Sequence, residues 1–173
     1  MEVVKPFDPL LGLKTMLCYE DFGDRYEMAT FGAERYSLWV KKSMDYYENR
    51  FFIKENGIFD MKVLPKIIVE VFTTNGFKTQ SVQTVEEAFA VEREGKLPIF
   101  PSDCFSPKSY ATGKISKTKQ TYSIHHFAGS WLPRYVKLEH HFWQFLGLND
   151  PNILTSFMKV VNNASRILNN RKF

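Results

Sequence analysis

Cysteine is scarce in this chain, and the marks of a secreted or membrane-spanning protein are absent. The two cysteines, Cys18 and Cys104, are too few for a disulfide framework, so we expect free thiols in a reducing compartment. Residues 1–20 lack the basic start and apolar stretch of a signal peptide. No apolar run approaches the ~20 residues that a bilayer-spanning helix needs. These absences predict a cytoplasmic protein.

A strong charge of one sign is also lacking. The formal net charge is +4, and the 24% charged and 44% hydrophobic residues are ordinary for a globular protein. The basic residues are dispersed and no nucleic-acid-binding motif occurs, so we do not expect nucleic acid as a partner. The length, 173 residues, is that of a single domain.

Aromatic residues are abundant. They make up 16% of the chain, with 16 Phe and 8 Tyr. Packing in a core accounts for most of them, and stacking on sugar rings is the alternative for some. Composition alone therefore predicts a soluble globular protein with an aromatic core.

Hydrophobic periodicity predicts alternating strands and helices. Helical spacing covers 35–49 and 64–74, and a capping-box pattern opens a short helix over 85–94. Two more helices are predicted near the end, one from about 133 to 148 and one opening at Asp150-Pro151. Short strands are predicted at the following positions: 2–5, about 14–19, 27–33 and 99–100, while 108–119 is a polar loop.

The most informative segment follows an alternating run that ends at Ile124. It reads His125-His126-Phe127-Ala128-Gly129-Ser130-Trp131. Imidazole is a common ligand of divalent metals, and hydroxyl, indole and turn amide donors can contact phosphate. Neighbouring strand residues point to opposite faces, so the two histidines share one site only if the strand has already ended. A histidine packed at the end of a strand remains the alternative.

This segment resembles the His-His-x-x-x-Ser-Trp sequence of the DXD-type sugar transferase family, which includes capsular polysaccharide transferases and initiating mannosyltransferases. Residues 2–8 resemble the stretch that follows the metal-binding Asp-x-Asp in that family. Weaker similarity is found at these segments: 31–34, 46–50, 99–103 and 105–107. The resemblance covers residues 1–132.

The resemblance implies the α/β fold class, as the C-terminal part of a GT-A fold with a helical C-terminus. It also implies the transfer of a sugar from a nucleotide-diphosphate sugar to a glycan or lipid-linked acceptor, as in polysaccharide synthesis. In that scheme His126, or alternatively His125, is a ligand of Mn²⁺ or Mg²⁺. Gly129, Ser130 and Trp131 contact the diphosphate. Residues 1–132 would form the later part of the catalytic domain, and residues 133–173 a pair of helices packed on it.

No Asp-x-Asp precedes Glu2 in this sequence. We therefore expect the chain to correspond to the C-terminal half of such a transferase and to be inactive, or nearly so, by itself. Two alternatives stay open. One is a non-catalytic carbohydrate-binding or partner module, and the other is an upstream reading frame that encodes the remainder.

Three further expectations concern surfaces. Asp21, Asp24 and Glu27 are interpreted as a solvated turn rather than as catalytic carboxylates, and Asp103 as a turn-forming residue. The helix over 133–148 mixes basic and aromatic residues, so peripheral contact with a membrane is the alternative to core packing. If strands 2–5 and 14–19 present an unpaired edge, the chain should form a homo-oligomer.

Overall fold

The computed structural model describes residues 1–20, 25–110, 112–129 and 132–145. Contacts divide the chain into two units, one formed by 1–108 with 116–126 and the other by 109–115 with 127–173. The strands are β1 (Glu2–Val3), β2 (Thr15–Cys18), β3 (Gly32–Ala33), β4 (Thr79–Ser81), β5 (Leu97–Phe100) and β6 (Ser123–Ile124). The helices are α1 (Leu38–Asp45), α2 (Leu64–Thr74), α3 (Val85–Arg93) and α4 (Arg134–Phe145), with single 3-10 turns at Asp8–Leu10 and Ser102–Cys104.

Four strands of the first unit form a mixed sheet in the order β3-β2-β5-β4. Strand β2 runs parallel to β5 and antiparallel to β3, and β4 runs parallel to β5. The connection from β4 through α3 to β5 is the βαβ arrangement that parallel strands require. The remaining strands, β1 and β6, form a separate antiparallel pair. The α/β class predicted from the sequence is confirmed.

The mixed sheet separates two hydrophobic clusters because successive residues of a strand point to opposite faces. Leu17 of β2 and Ile99 of β5 pack with Trp39 of α1 and the apolar stripe of α2. Their neighbours Cys18 and Phe100 pack in the other cluster, together with Ala88 and Val91 of α3. Helices therefore cover the two central strands on both faces, and Leu17, Cys18, Ile99 and Phe100 are buried there.

Two predicted elements are shorter in the structure. The strand expected over 27–33 is reduced to β3, although Tyr26 bridges Tyr19 just before it. The helix expected over 35–49 is confined to α1, because Tyr36 has a left-handed backbone with φ of 66° and the helix begins only after Ser37. The helix over 64–74 is confirmed at both ends.

Helix α3 begins at the predicted capping box. The side chain of Thr84 accepts a hydrogen bond from the backbone N–H of Glu87 at 3.2 Å, and the carboxylate of Glu87 accepts one from the N–H of Gln83 at 2.6 Å. We expect Thr84→Ala to lower the free energy of unfolding by about 1 kcal/mol, because one N–H of the first turn loses its acceptor. Urea denaturation measures this loss. Thr84→Ser, which keeps the hydroxyl, is the control, and an equal loss in both variants would contradict the cap.

The strand edge expected to drive self-association is not exposed in β2. This strand is paired on both sides, and Leu17 is fully buried. The expectation of an unpaired edge at 14–19 was therefore wrong, because the chain supplies β3 and β5 as neighbours. In β1 the apolar Val3 is exposed, as is Val4 just after it. The homo-oligomer stays a prediction that now rests on this part of the chain alone.

Both cysteines are free and buried, as expected. Burial raises the pKa of the Cys104 thiol to about 12, and it also raises the pKa of Cys18 well above its ordinary value. The thiolate is the reactive form, so we expect neither residue to react with iodoacetamide at neutral pH in the folded protein. Mass spectrometry before and after addition of urea measures this. Alkylation of either thiol at the rate of the unfolded chain would contradict it.

The predicted helix over 133–148 is present as α4, whose described residues end at Phe145. The helix expected from Asp150 lies outside the described residues. Among the helices that the structure describes, none is both long and apolar enough to cross a membrane. The loop expected over 108–119 contains no helix or strand in its described positions.

Candidate functional site

The pairing of β1 with β6 brings together residues from distant parts of the sequence. Glu2 lies opposite Ile124 and Val3 lies opposite Ser123. Strand β6 ends at Ile124, so the two histidines follow directly after the last paired residue. The prediction that they lie at the end of a strand is confirmed. Because the ladder stops there, their side chains are no longer bound to strict alternation.

His125 contacts a buried carboxylate. Its Nδ1 atom lies 3.0 Å from Oε2 of Glu27, whose side chain is 1% exposed. An ionised carboxylate only accepts hydrogen bonds, so Nδ1 carries the proton of this pair. The other carboxylate oxygen, Oε1, accepts a short hydrogen bond from the backbone N–H of Ala29. Glu27 is thereby fixed on both oxygens and holds the imidazole in one orientation.

The electrostatics of Glu27 reflect two opposing effects. Burial, the largest single influence, would raise its pKa, but His125, the Ala29 N–H and the Ser106 hydroxyl lower it, and the net result lies below the ordinary value. Ser106 itself is buried, and its oxygen has no geometrically complete hydrogen bond among the described residues. Its hydroxyl is therefore the smallest of the named influences that lower the pKa of Glu27. Glu27 is ionised at neutral pH.

His126 contacts a different, exposed carboxylate. Its Nε2 atom lies 2.8 Å from Oε2 of Glu2, and Nζ of Lys117 lies 3.6 Å from Oε1 of the same residue. The hydrogen bond from His126, with a smaller contribution from Lys117, holds the pKa of Glu2 below its ordinary value. Lys108 donates a hydrogen bond from Nζ to the backbone oxygen of His126 at 3.0 Å. Two lysines therefore lie next to this histidine.

The predicted diphosphate contacts are described only in part. Gly129 has a φ of 51°, a left-handed backbone that glycine adopts without strain, and its carbonyl accepts a hydrogen bond from the N–H of Leu132 at 2.8 Å. Ser130 and Trp131 lie outside the described residues, so their predicted role stays a prediction.

Among the described residues, no group of three or more His, Cys, Asp or Glu side chains has the arrangement of a metal site. The two histidines each pair with a different glutamate, and each pair supplies one imidazole and one carboxylate. A ligating histidine commonly donates its other ring N–H to a carboxylate, and the pair of His125 with Glu27 has this chemistry. Mn²⁺ or Mg²⁺ as a cofactor stays a prediction.

Sequence reasoning missed Glu27, which was assigned to a solvated turn. The backbone N–H of Glu27 donates to the carbonyl of Cys18 at 2.9 Å, which fixes the residue beside the mixed sheet. Its carboxylate then lies within hydrogen-bond distance of His125. The one available signal was its position between Tyr26 and Met28, two apolar residues. Asp21 and Asp24, assigned to the same turn, lie outside the described residues. Asp103 is confirmed as a structural carboxylate, since it lies in a 3-10 turn and accepts a hydrogen bond from Thr118 at 2.8 Å.

Comparisons with known proteins give no independent evidence about the family of this chain. No family model, curated protein or solved structure matches this sequence and fold.

Proposed function

We propose that this protein belongs to the machinery that transfers a sugar from a nucleotide-diphosphate sugar to a glycan or lipid-linked acceptor. The observation that carries the proposal is the pairing of β1 with β6. Two segments have the most specific resemblance to DXD-type sugar transferases. Strand β1 begins the first of them, and strand β6 directly precedes the second. Glu2 and His126 are 124 positions apart in sequence, yet their side chains are in contact. An accidental resemblance gives no reason for the two segments to be neighbours.

The register of this pair supports the same function. Glu2 lies opposite Ile124, the residue directly before His125. In the transferase family the Asp-x-Asp directly precedes the stretch that residues 2–8 resemble. In a family member that carries the motif and shares this register, the motif would lie beside the two histidines. Oxygen ligands would thus join an imidazole, which suits a divalent cation better than histidine alone.

The residues of this chain fit a divalent cation only in part. His126 and Glu2 would hold it with one nitrogen and carboxylate oxygens, and His125, oriented by Glu27, is the alternative nitrogen ligand. When bound, the cation would act as a Lewis acid on the diphosphate and stabilise the leaving group. Lys108 and Lys117 add positive charge next to the same histidine, which favours an anionic diphosphate. By the resemblance, Gly129, Ser130 and Trp131 would contact its oxygens.

Paramagnetic line broadening by Mn²⁺ tests this proposal even if affinity is weak. We expect the isolated chain to show no sugar transfer, or almost none, because two protein ligands are too few for tight binding. In NMR spectra, Mn²⁺ should broaden the amides of Glu2, Val3, His125 and His126 first. Uridine diphosphate or guanosine diphosphate should strengthen that broadening.

The control separates this site from ordinary surface carboxylates. The double substitution Glu2→Gln with His126→Ala should remove the diphosphate-dependent broadening. Asp45→Asn, at a surface carboxylate that pairs with Lys41 and Lys42, should leave it unchanged. Broadening that is scattered over other acidic residues, or that ignores the diphosphate, would refute the proposal.

The alternative function, a non-catalytic carbohydrate-binding or partner module, would need a ligand surface away from β6. One specific observation is compatible with it. A cleft lined by aromatic and charged residues lies between the end of α1 and the start of α2. This cleft fits the acceptor side of a transferase equally well.

A further inference from the structure

A short hairpin over residues 51–60 carries the most exposed cluster of apolar side chains in the first unit. Its two arms are joined by the antiparallel bridge between Ile53 and Phe59, and the polar turn at its tip closes with a hydrogen bond from Gly57 N–H to the Lys54 carbonyl at 2.8 Å. Phe51 is 78% exposed, and the following hairpin residues are each more than half exposed: Phe52, Ile53, Ile58 and Phe59. Apolar side chains clustered in this way on a surface mark a binding region.

Two clefts border this hairpin and share three wall residues. The smaller, of about 240 Å³, is lined by Tyr46, Tyr47, Arg50, Phe51, Phe52, Asp60, Lys62 and Ile67. The larger and more open one, of about 600 Å³, shares Arg50, Phe51 and Asp60 with it. Aromatic faces and charged groups therefore line one continuous stretch of surface, which we call the aromatic cleft.

The charged groups of the aromatic cleft are held in place. Arg50 lies over the ring of Tyr46, with its guanidinium carbon 3.9 Å from the ring centre, and donates from Nη1 to the Tyr46 hydroxyl at 3.0 Å. Asp60 is positioned through its backbone, whose N–H donates to the carbonyl of Phe52 at 2.7 Å. Its carboxylate lies 3.7 Å from Nζ of Lys54. Hydrogen-bond donors and acceptors at fixed positions make an apolar surface selective for the ligand that it binds.

The aromatic residues are ordered as well. Phe52 stacks on Phe59 with ring centres 5.1 Å apart and an angle of 11° between the rings. Tyr46 and Tyr47 meet edge to face at 5.4 Å. Burial, followed by the proximity of Tyr46 and Asp60, raises the pKa of Tyr47, so its hydroxyl stays protonated and can donate. Rigid rings beside fixed charged groups lose little entropy on binding.

We propose that the aromatic cleft binds a carbohydrate. Aromatic faces carry negative partial charge and attract the C–H groups on the flat side of a sugar ring, which the exposed faces of Phe51 and Phe52 can provide. The sugar hydroxyls both donate and accept. Arg50 offers donors to them, and Asp60 offers an acceptor, so one ring can be held by its face and its edge together.

A lipid surface is the competing occupant of this exposed hairpin. Basic residues do surround it, but Glu48, Glu55 and Asp60 lie among them and oppose contact with an anionic bilayer. A bilayer also needs no cleft with a fixed arginine and aspartate on its walls. Carbohydrate accounts for both the rings and the charged groups, whereas lipid accounts only for the rings.

The interpretation of the aromatic cleft as an acceptor site rests on the proposed function. Binding itself does not, because it needs neither metal nor nucleotide. Saturation-transfer NMR is therefore carried out with the whole chain and oligosaccharides alone. The probes are cello-, malto-, manno- and chito-tetraose, with a hyaluronan tetrasaccharide as the anionic probe. We expect at least one of them to bind with a dissociation constant of about 1 mM or below.

Two variants place the binding at the cleft. Phe51→Ala removes an exposed ring, and Arg50→Lys keeps the charge but removes the planar group stacked on Tyr46. Each should weaken binding at least tenfold. Tyr36→Asn is the matched control, since it removes an aromatic ring that is 85% exposed but lies outside the cleft, and asparagine tolerates the left-handed backbone there.

Each outcome decides the proposal. Binding that Phe51→Ala and Arg50→Lys weaken, but Tyr36→Asn does not, supports it. Failure of all five probes to bind at about 10 mM, or binding that persists in Phe51→Ala, overturns it. Sedimentation with phosphatidylserine-containing vesicles that Phe51→Ala abolishes, in the absence of oligosaccharide binding, also overturns it and assigns the hairpin to a lipid surface. Loss of manganese binding near His126 leaves this result unaffected.

Discussion

Replacement of Glu27 by alanine should lower the free energy of unfolding by about 3 kcal/mol. The carboxylate is 1% exposed and accepts hydrogen bonds from both His125 and the backbone of Ala29. Its removal leaves the Ala29 N–H without an acceptor and opens a cavity. Urea denaturation followed by tryptophan fluorescence measures the loss.

Glu2→Ala is the matched control for this prediction. Glu2 also pairs with a histidine, at 2.8 Å, but its side chain is 47% exposed and water replaces the lost contact. We therefore expect little change in stability from Glu2→Ala. If Glu27→Ala proved no more destabilising than Glu2→Ala, the buried pair would not stabilise the fold.

The same pair makes stability depend on acidity. The pKa of Glu27 is lowered in the folded protein from an ordinary value of 4.5. Below that value the unfolded chain takes up a proton that the folded carboxylate still resists. The stabilisation is therefore complete above pH 4.5 and is lost as the pH falls through the folded pKa. In Glu27→Gln this part of the pH dependence should vanish, and an unchanged profile would assign it to other carboxylates.

The second large effect is expected at Phe105. Its side chain is fully buried, and its ring meets those of Phe7, Phe100 and Tyr122 with centres about 6 Å apart. We expect Phe105→Ala to lower the free energy of unfolding by about 4 kcal/mol, because the cavity it leaves cannot collapse among these rings. The same denaturation experiment measures it.

Phe105 also supports the strand that precedes the histidines. Its carbonyl accepts a hydrogen bond from the buried hydroxyl of Ser123, at 3.2 Å. We therefore expect Phe105→Ala to accelerate amide hydrogen exchange more in β6 than in α2, which packs in the other cluster. Phe51→Ala is the control, since that ring is 78% exposed and its loss should stay within about 0.5 kcal/mol. Equal losses in the two variants would contradict the assigned core.

Local patterns predicted much of the secondary structure. The apolar stripe of α2 and the capping box of α3 were sufficient to predict these two helices, because a helix is stabilised by contacts between residues three and four apart. The end of β6 before His125 was also predictable, since alternation stops there and a glycine turn follows. The strand over 27–33 was overestimated because alternation alone does not say how many residues find a partner.

The site depended on contacts that no local pattern contains. His125 was identified as a candidate from its neighbours in sequence, but its partner Glu27 is 98 positions away. Local sequence placed Glu27 in a solvated turn because charged residues near a glycine are usually exposed. Only the fold shows that Glu27 is covered, and burial changes this glutamate from a solvated group into one that fixes an imidazole.

The alternation of apolar residues and the capping residues are properties of the chain itself. They were sufficient for the positions of the helices and for the end of the strand before the two histidines. The neighbours of each strand were decided in three dimensions. Strand β2 was predicted to present an edge, but it acquires β3 on one side and β5 on the other, while β1 pairs with β6. Pairing between strands far apart in sequence depends on which apolar faces can be buried together, and that is a property of the whole chain.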